Sequence, residues 1–121
     1  IQDRYHRLIT AFQSAIQECD YQNNHSIAFP LKVNPQKHVV DALLKTDHGH
    51  HLGLEVGSKP ELLAVLALET NSHNLLICNG YKDSEYLSLA LIAKKLGRHV
   101  IIIIEQFYEL HLLLEVASQL N

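Results

Sequence analysis

No block of like charge, no long apolar run and no paired-cysteine motif occurs in the 121 residues, and each absence removes a class of function. Thirteen acidic residues stand against ten basic ones for a net charge of -3, and neither sign gathers into a stretch that could track a phosphate backbone. Nucleic acid is thereby a poor partner. No apolar run, Val100 to Ile104 included, approaches the roughly 20 residues that span a bilayer, and nothing resembles a signal peptide. The sequence reads as soluble and cytoplasmic, with no membrane partner. Cys19 and Cys78 lie far apart without C-x-x-C spacing, so neither a disulfide framework nor a zinc knuckle is indicated. Both read as reduced core residues. Gly53, Gly57, Gly80 and Gly97 form neither G-x-G-x-x-G nor a P-loop, which removes a nucleotide phosphate cradle. Met is missing at position 1, where the chain opens directly into a helical pattern, so the chain reads as a piece of a longer one.

What is present is a composition 47% hydrophobic, enough for one globular domain with one modest core. Tyr5, Leu8, Ile9, Phe12, Ala15 and Ile16 recur at helical spacing and predict an amphipathic helix ending near Cys19. Ser26 to Asn34 reads as a strand, followed by Asn34-Pro35, where Asn can cap a helix and Pro can occupy its first turn. That helix should bury Val39, Val40, Leu43 and Leu44. The order then repeats: Leu52 to Gly57 before a helix from Lys59, Asn74 to Gly80 before a helix from Asp83, and His99 to Ile104 before a helix from Phe107. Ser58 and Glu61 have capping-box spacing. Lys32, Glu55, Asn79 and Glu105 each close a predicted strand, at intervals of 23, 24 and 26 residues.

Strands alternating with helices imply an α/β fold with a parallel sheet, because parallel strands need crossover connections. Four such units could form a small doubly wound sheet, or the first half of an eightfold barrel of about 250 residues. Parity along the first strand favours the barrel. Ile27, Phe29, Leu31 and Val33 share an apolar, helix-covered face, while Ala28, Pro30, Lys32 and Asn34 share the other. Lys32 would then point inward at the carboxyl end of a barrel strand, facing the mouth where chemistry sits. Pro30 is awkward in any central strand, and the sequence offers no reason for it.

A lysine near the end of a buried strand can bond covalently to an aldehyde cofactor when its surroundings free the amine. A lone lysine is more often a surface group that snorkels to water. A carboxylate at Glu55 could steady a charged amine or tune its titration, or could be a solvated strand-end acid. Asn79 and Glu105 could line the mouth or cap the following helices. His48, His50 and His51 form H-x-H-H, which invites a zinc reading, but they fall between a helix and the next strand, on the amino-terminal face opposite the expected chemistry. They read as a solvated loop, and no metal site is assigned. Lys94-Lys95 reads as a solvated helix end that favours the dipole.

Three ordered strings narrow these alternatives: Phe29-Pro30-Leu31-Lys32-Val33-Asn34-Pro35-Gln36-Lys37-His38, Gly53-Leu54-Glu55-Val56-Gly57-Ser58-Lys59-Pro60-Glu61 and Ile77-Cys78-Asn79-Gly80-Tyr81-Lys82-Asp83. Together with Asp3-Arg4-Tyr5-His6-Arg7-Leu8 and Lys94-Lys95-Leu96-Gly97-Arg98, they make the whole chain resemble the biosynthetic arginine decarboxylases. The resemblance implies residues 1–121 as a partial pyridoxal-phosphate-binding domain: the parallel (βα)4 portion of an alanine-racemase-like TIM barrel, preceded by one helix. The remaining barrel and a carboxyl-terminal β-domain would lie outside the chain. It further implies pyridoxal 5'-phosphate carried covalently at Lys32, with Glu55 and Asn79 beside it, and conversion of L-arginine to agmatine and CO2 for putrescine and spermidine synthesis. The parent enzyme would be a homo-oligomer; Mg2+ is compatible with the resemblance but has no site in the sequence. Other readings are a different amino-acid decarboxylase or racemase on the same barrel, or a non-catalytic half-barrel that pairs with a partner chain.

Overall fold

The computed structural model describes residues 1–47, 52–68 and 74–120. Helix α1 (Gln2–Glu18) leads into β1 (Ile27–Pro30), a 3-10 turn (Leu31–Val33), α2 (Lys37–Thr46), β2 (Leu52–Val56), α3 (Lys59–Leu66), β3 (Leu75–Cys78), α4 (Ser84–Lys95), β4 (His99–Ile102) and α5 (Phe107–Gln119). Every element expected from the periodicity is there, with strands that stop earlier than their apolar runs.

The four strands are parallel and lie in the order β1-β2-β3-β4. A doubly wound sheet reverses its order at a switch point and carries helices on both faces. Here the order never reverses, and one strand face takes the helices. Phe29, Leu54, Val56, Leu76, Cys78, Val100 and Ile102 pack in one cluster with Val40 of α2, Leu62 and Val65 of α3, and Tyr86, Ala90 and Ala93 of α4. The small Ala90 and Ala93, both 0% exposed, let α4 lie close on the sheet. Alternate residues form the other face in two layers, Ala28, Gly53, Leu75 and His99, then Pro30, Glu55, Ile77 and Ile101. A Cβ at Gly53 would sit 2.8 Å from the Leu75 Cβ, so only glycine fits beneath that side chain. Sequential order with helices on one side is the wall of a barrel, and the choice left open by the sequence is resolved that way.

Strand β1 brings a correction. The expected alternation holds from Ile27 to Pro30 and then fails, because the chain tightens into the 3-10 turn. Leu31 drops into the core at 4% exposure, whereas Val33 is 68% exposed instead of sharing the apolar face. The direction of Lys32 therefore does not follow from strand parity. The turn also accounts for Pro30: it is the last residue of β1, and its φ of -75° leads into the turn.

The same turn moves the start of α2. Gln36 is its cap residue, and Asn34, expected as the cap, is extended, its side chain accepting from the Gln36 amide at 3.2 Å. Ser58 does cap α3 by accepting from the Glu61 amide at 3.4 Å, but the Glu61 carboxylate reaches past it to the Gly57 amide at 2.7 Å. Asp83 caps α4, accepting from the Tyr86 amide at 2.9 Å. Helix α1 packs on α2 through Tyr5, beside Leu43 and Leu52. Of the stripe expected to be apolar and covered, only Tyr5 is buried; Leu8 and Phe12 are each 44% exposed. In α2, Val40 and Leu43 are buried and Val39 and Leu44 half-buried. Both cysteines are free; Cys78 is in the core as expected, but Cys19 is exposed because α1 ends in solvent. Among the described residues, no helix is long and apolar enough to cross a membrane. His48, His50 and His51 lie outside the described residues.

Candidate functional site

The carboxyl ends of the four strands gather the residues singled out by spacing, though not all as strand ends. Glu55 is inside β2, Asn79 follows β3 by one residue, Glu105 lies beyond β4, and Lys32 occupies the 3-10 turn. That turn packs against β2, and Pro30, two residues before Lys32, pairs with Glu55. Lys32 is exposed, and among the described residues it makes no hydrogen bond or ion pair.

Glu55 and Asn79 are brought together: Asn79 Nδ2 donates to Glu55 Oε1 at 3.3 Å. No hydrogen bond among the described residues joins either of them to Lys32. Neither Asn79 nor Glu105 caps a helix. Asn79 Oδ1 instead accepts from the Gly80 amide at 2.9 Å, and the Glu105 amide donates to Glu109 Oε2 at 2.8 Å.

The turn after β3 is held on every side. Asn79 N–H donates to the Val56 carbonyl at 2.8 Å, and the Asn79 carbonyl shares the single Tyr86 hydroxyl proton, at 3.2 Å, with the nearer Val56 carbonyl at 3.0 Å. Gly80 N–H is taken by Asn79 Oδ1, and the Gly80 carbonyl accepts from Lys82 Nζ at 2.6 Å. All four backbone polar groups of Asn79-Gly80 are thus satisfied. Gly80 has φ +75°, and a Cβ there would lie 2.5 Å from the Gly57 carbonyl oxygen, so glycine is required twice over.

Lys82 is 0% exposed and spans from this turn to the start of α5, with Glu109 Oε2 at 3.3 Å and Glu105 Oε2 at 3.9 Å. Glu109 is itself 1% exposed. Burial pushes its carboxyl up, but hydrogen bonds from the Glu105 and Gln106 amides and the Lys82 ammonium outweigh that and hold it below the usual carboxylate range. Burial pushes the Cys78 thiol up, making it a core group and not a ready nucleophile. The Tyr86 hydroxyl is raised as well, by burial first and then by its neighbour Cys78. Lys82 and Glu109 went unassigned in the sequence; the legible signals were a lysine just before the cap residue Asp83 and an acid in the first turn of α5.

Residues 4–121 match the family model for the pyridoxal-dependent decarboxylases, in their pyridoxal binding domain. The chain belongs to that family. The chain is 48% identical to the biosynthetic arginine decarboxylase of Vibrio cholerae over 124 aligned residues, covering 100% of this chain and 19% of the relative. It is 40% identical to the same-named protein of Bacteroides thetaiotaomicron, again over 100% of this chain and 19% of the relative. A crystal structure of the biosynthetic arginine decarboxylase of Campylobacter jejuni superposes with a TM-score of 0.92 at 31% identity, over 98% of this chain and 20% of that one. The chain thus spans about a fifth of the length of these relatives. The likeness to a solved decarboxylase agrees with the strand order in making this segment the (βα)4 wall of a barrel with one helix before it. Among its described residues, no group of three or more His, Cys, Asp or Glu could hold a metal ion, so Mg2+ has no ligand set to which it can be assigned.

Proposed function

We propose that residues 1–121 form the first part of the pyridoxal-phosphate-binding barrel of an arginine decarboxylase, in which Lys32 carries the cofactor and Glu55 and Asn79 stand beside it. The parent enzyme converts L-arginine to agmatine and CO2. The remaining barrel and a carboxyl-terminal β-domain lie outside the chain in this reading, and the parent is a cytoplasmic homo-oligomer that feeds polyamine synthesis. The names of the relatives favour arginine over other amino acids.

The observation that carries the reading is the unengaged amine of Lys32 at the carboxyl end of β1, in a domain of a pyridoxal-binding family. The residues present suit the group in part. An aldehyde needs a free amine, and Lys32 spends none of its donors on other described residues. A carboxylate fixed by an amide, Glu55 with Asn79, suits a charged amine or ring edge. Recognition of the phosphate falls to residues outside these three. When bound, pyridoxal phosphate supplies an electron sink for the pair left as the α-carboxylate of the substrate departs.

The tasks of this chain's own residues follow from their positions. Lys32 would supply the amine that holds the cofactor's aldehyde group. Asn79 Nδ2 holds one oxygen of Glu55, leaving the other free to accept a proton or to face a cation. The bare strand face around Glu55 is apolar at Pro30, Ile77 and Ile101, which keeps water from competing for that carboxylate when the barrel is closed. The test is borohydride reduction of the protein with pyridoxal phosphate, followed by peptide mapping. Label concentrated on Lys32 is expected, and label scattered over the surface lysines would sink the assignment.

A further inference from the structure

We infer that Lys82 is a positioning residue: by tying the Gly80 carbonyl to Glu109 at the start of α5, it fixes the Asn79-Gly80 turn in the geometry that presents the Asn79 amide to Glu55. The inference rests on the assignment of Glu55 and Asn79 to the cofactor site.

The argument starts from glycine. Gly80 sits at φ +75° and has no side chain to restrain it, so both peptide planes around it can reorient unless they are held. The plane before it is held at its N–H by Asn79 Oδ1, and at the Asn79 carbonyl only by a Tyr86 hydroxyl at 3.2 Å whose one proton also serves the nearer Val56 carbonyl at 3.0 Å. The plane after it is held by Lys82 Nζ on the Gly80 carbonyl, at 2.6 Å. What this turn orients is the Asn79 side chain. With Oδ1 committed to the Gly80 amide at 2.9 Å, Nδ2 is the atom left to meet Glu55 Oε1, at 3.3 Å. A reoriented Gly80 amide would release Oδ1, and the Asn79 amide would lose its defined orientation.

The choice of lysine supports a geometric role. Burying an ammonium is costly, and a well-packed apolar side chain of similar volume often serves stability as well or better. Such a side chain cannot donate to a carbonyl. Lys82 also has a rigid anchor behind it, because Glu109 Oε2 is fixed by the Glu105 and Gln106 amides, at 2.8 and 3.3 Å. The order of support is therefore Glu109, Lys82, Gly80, Asn79, Glu55. It joins the second, third and fourth strand ends of the sheet.

The test is Lys82→Met in the enzyme that contains this chain, read first without cofactor by amide hydrogen exchange. Faster exchange of the Asn79 and Gly80 amides, by roughly tenfold or more, with β2 unchanged, is expected from the loss of a local clamp. The second reading is made with pyridoxal phosphate bound. The visible circular dichroism of the bound cofactor should change, and kcat for arginine should fall roughly tenfold with KM within about twofold, the mark of a lost transition-state alignment. Unchanged exchange overturns the inference, and so does faster exchange with cofactor dichroism and kcat at wild-type values. Should Lys82→Met not fold, Glu109→Gln keeps the volume and weakens the anchor; wild-type exchange and dichroism in that variant overturn the inference equally. Because the exchange is read without cofactor, its outcome is separable from whether borohydride labels Lys32.

Discussion

Two lysines stand at the carboxyl end of one sheet, after its first and third strands, and are treated in opposite ways. Lys32, in the connection from β1 to α2, is exposed and engages no other described residue. Lys82, in the connection from β3 to α4, is 0% exposed and bonded to Gly80 and Glu109. The difference teaches how one end of a barrel wall divides its work. An amine meant to form a bond with a ligand must be left without intramolecular partners; an amine meant to hold backbone in place must be saturated with them. Burial follows the second role. On the proposed assignment, the connection that would carry chemistry is the one whose lysine has no partner among the described residues, and the connection two strands away is overdetermined.

The strongest way to break this comparison is Lys32→Ala in the parent enzyme. Activity should fall by at least about a thousandfold if the proposed covalent anchor is lost, while stability stays within about 0.5 kcal/mol because an exposed side chain without partners among the described residues contributes little. A variant with near-normal turnover, measured as agmatine release, would remove Lys32 from the site. Lys82→Ala is expected to shift the balance, with a large loss of stability beside a smaller loss of activity. It leaves Glu109 buried without its counter-ion and should cost about 3 kcal/mol in chemical denaturation. A loss under about 1 kcal/mol would mean that Lys82 behaves as a surface lysine. Gly80→Ala should cost about 2 kcal/mol, from the left-handed backbone and the contact with the Gly57 carbonyl together. A near-neutral melting temperature for that variant would show that the turn is more pliable than its four bonded backbone groups suggest.

These contrasts also explain what was legible in the sequence. The alternation of strand and helix and the cap at Ser58 are local patterns, carried by neighbours in the chain, and they place every strand and α-helix. The partnership of Asn79 with Glu55 spans 24 residues and that of Lys82 with Glu109 spans 27, each about one strand-helix unit. A repeat period shows that such residues share one end of the sheet, but not which of them touch. The 3-10 turn was invisible for a different reason. Leu31 and Val33 fit an alternating apolar strand, and only the fit of Leu31 into the core with Val56 decides that the chain tightens there. Lys32 lies near the sheet's carboxyl end, but its direction cannot be read from a strand that ends at Pro30.

The smallest effect is expected at the other end of the same sheet. The Tyr5 hydroxyl donates to Asp47 Oδ1 at 2.6 Å, and Asp47 Oδ2 accepts from the amide of Leu52, the first residue of β2, at 3.2 Å. This arrangement fastens α1 to the amino end of the strands, away from both lysines. Tyr5→Phe removes one hydrogen bond to a carboxylate and should cost about 1.5 kcal/mol near neutral pH. Burial first, and then Asp47, raise the Tyr5 hydroxyl above its ordinary value of 10.0. The folded state thus holds that proton more tightly than the unfolded state. Its contribution is complete below the ordinary value and is lost as pH climbs above it, so Tyr5→Phe should flatten the alkaline decline in stability without altering kcat. An altered kcat would mean that the amino end communicates with the carboxyl end, and the division of labour drawn between the two connections would have to extend through the whole wall.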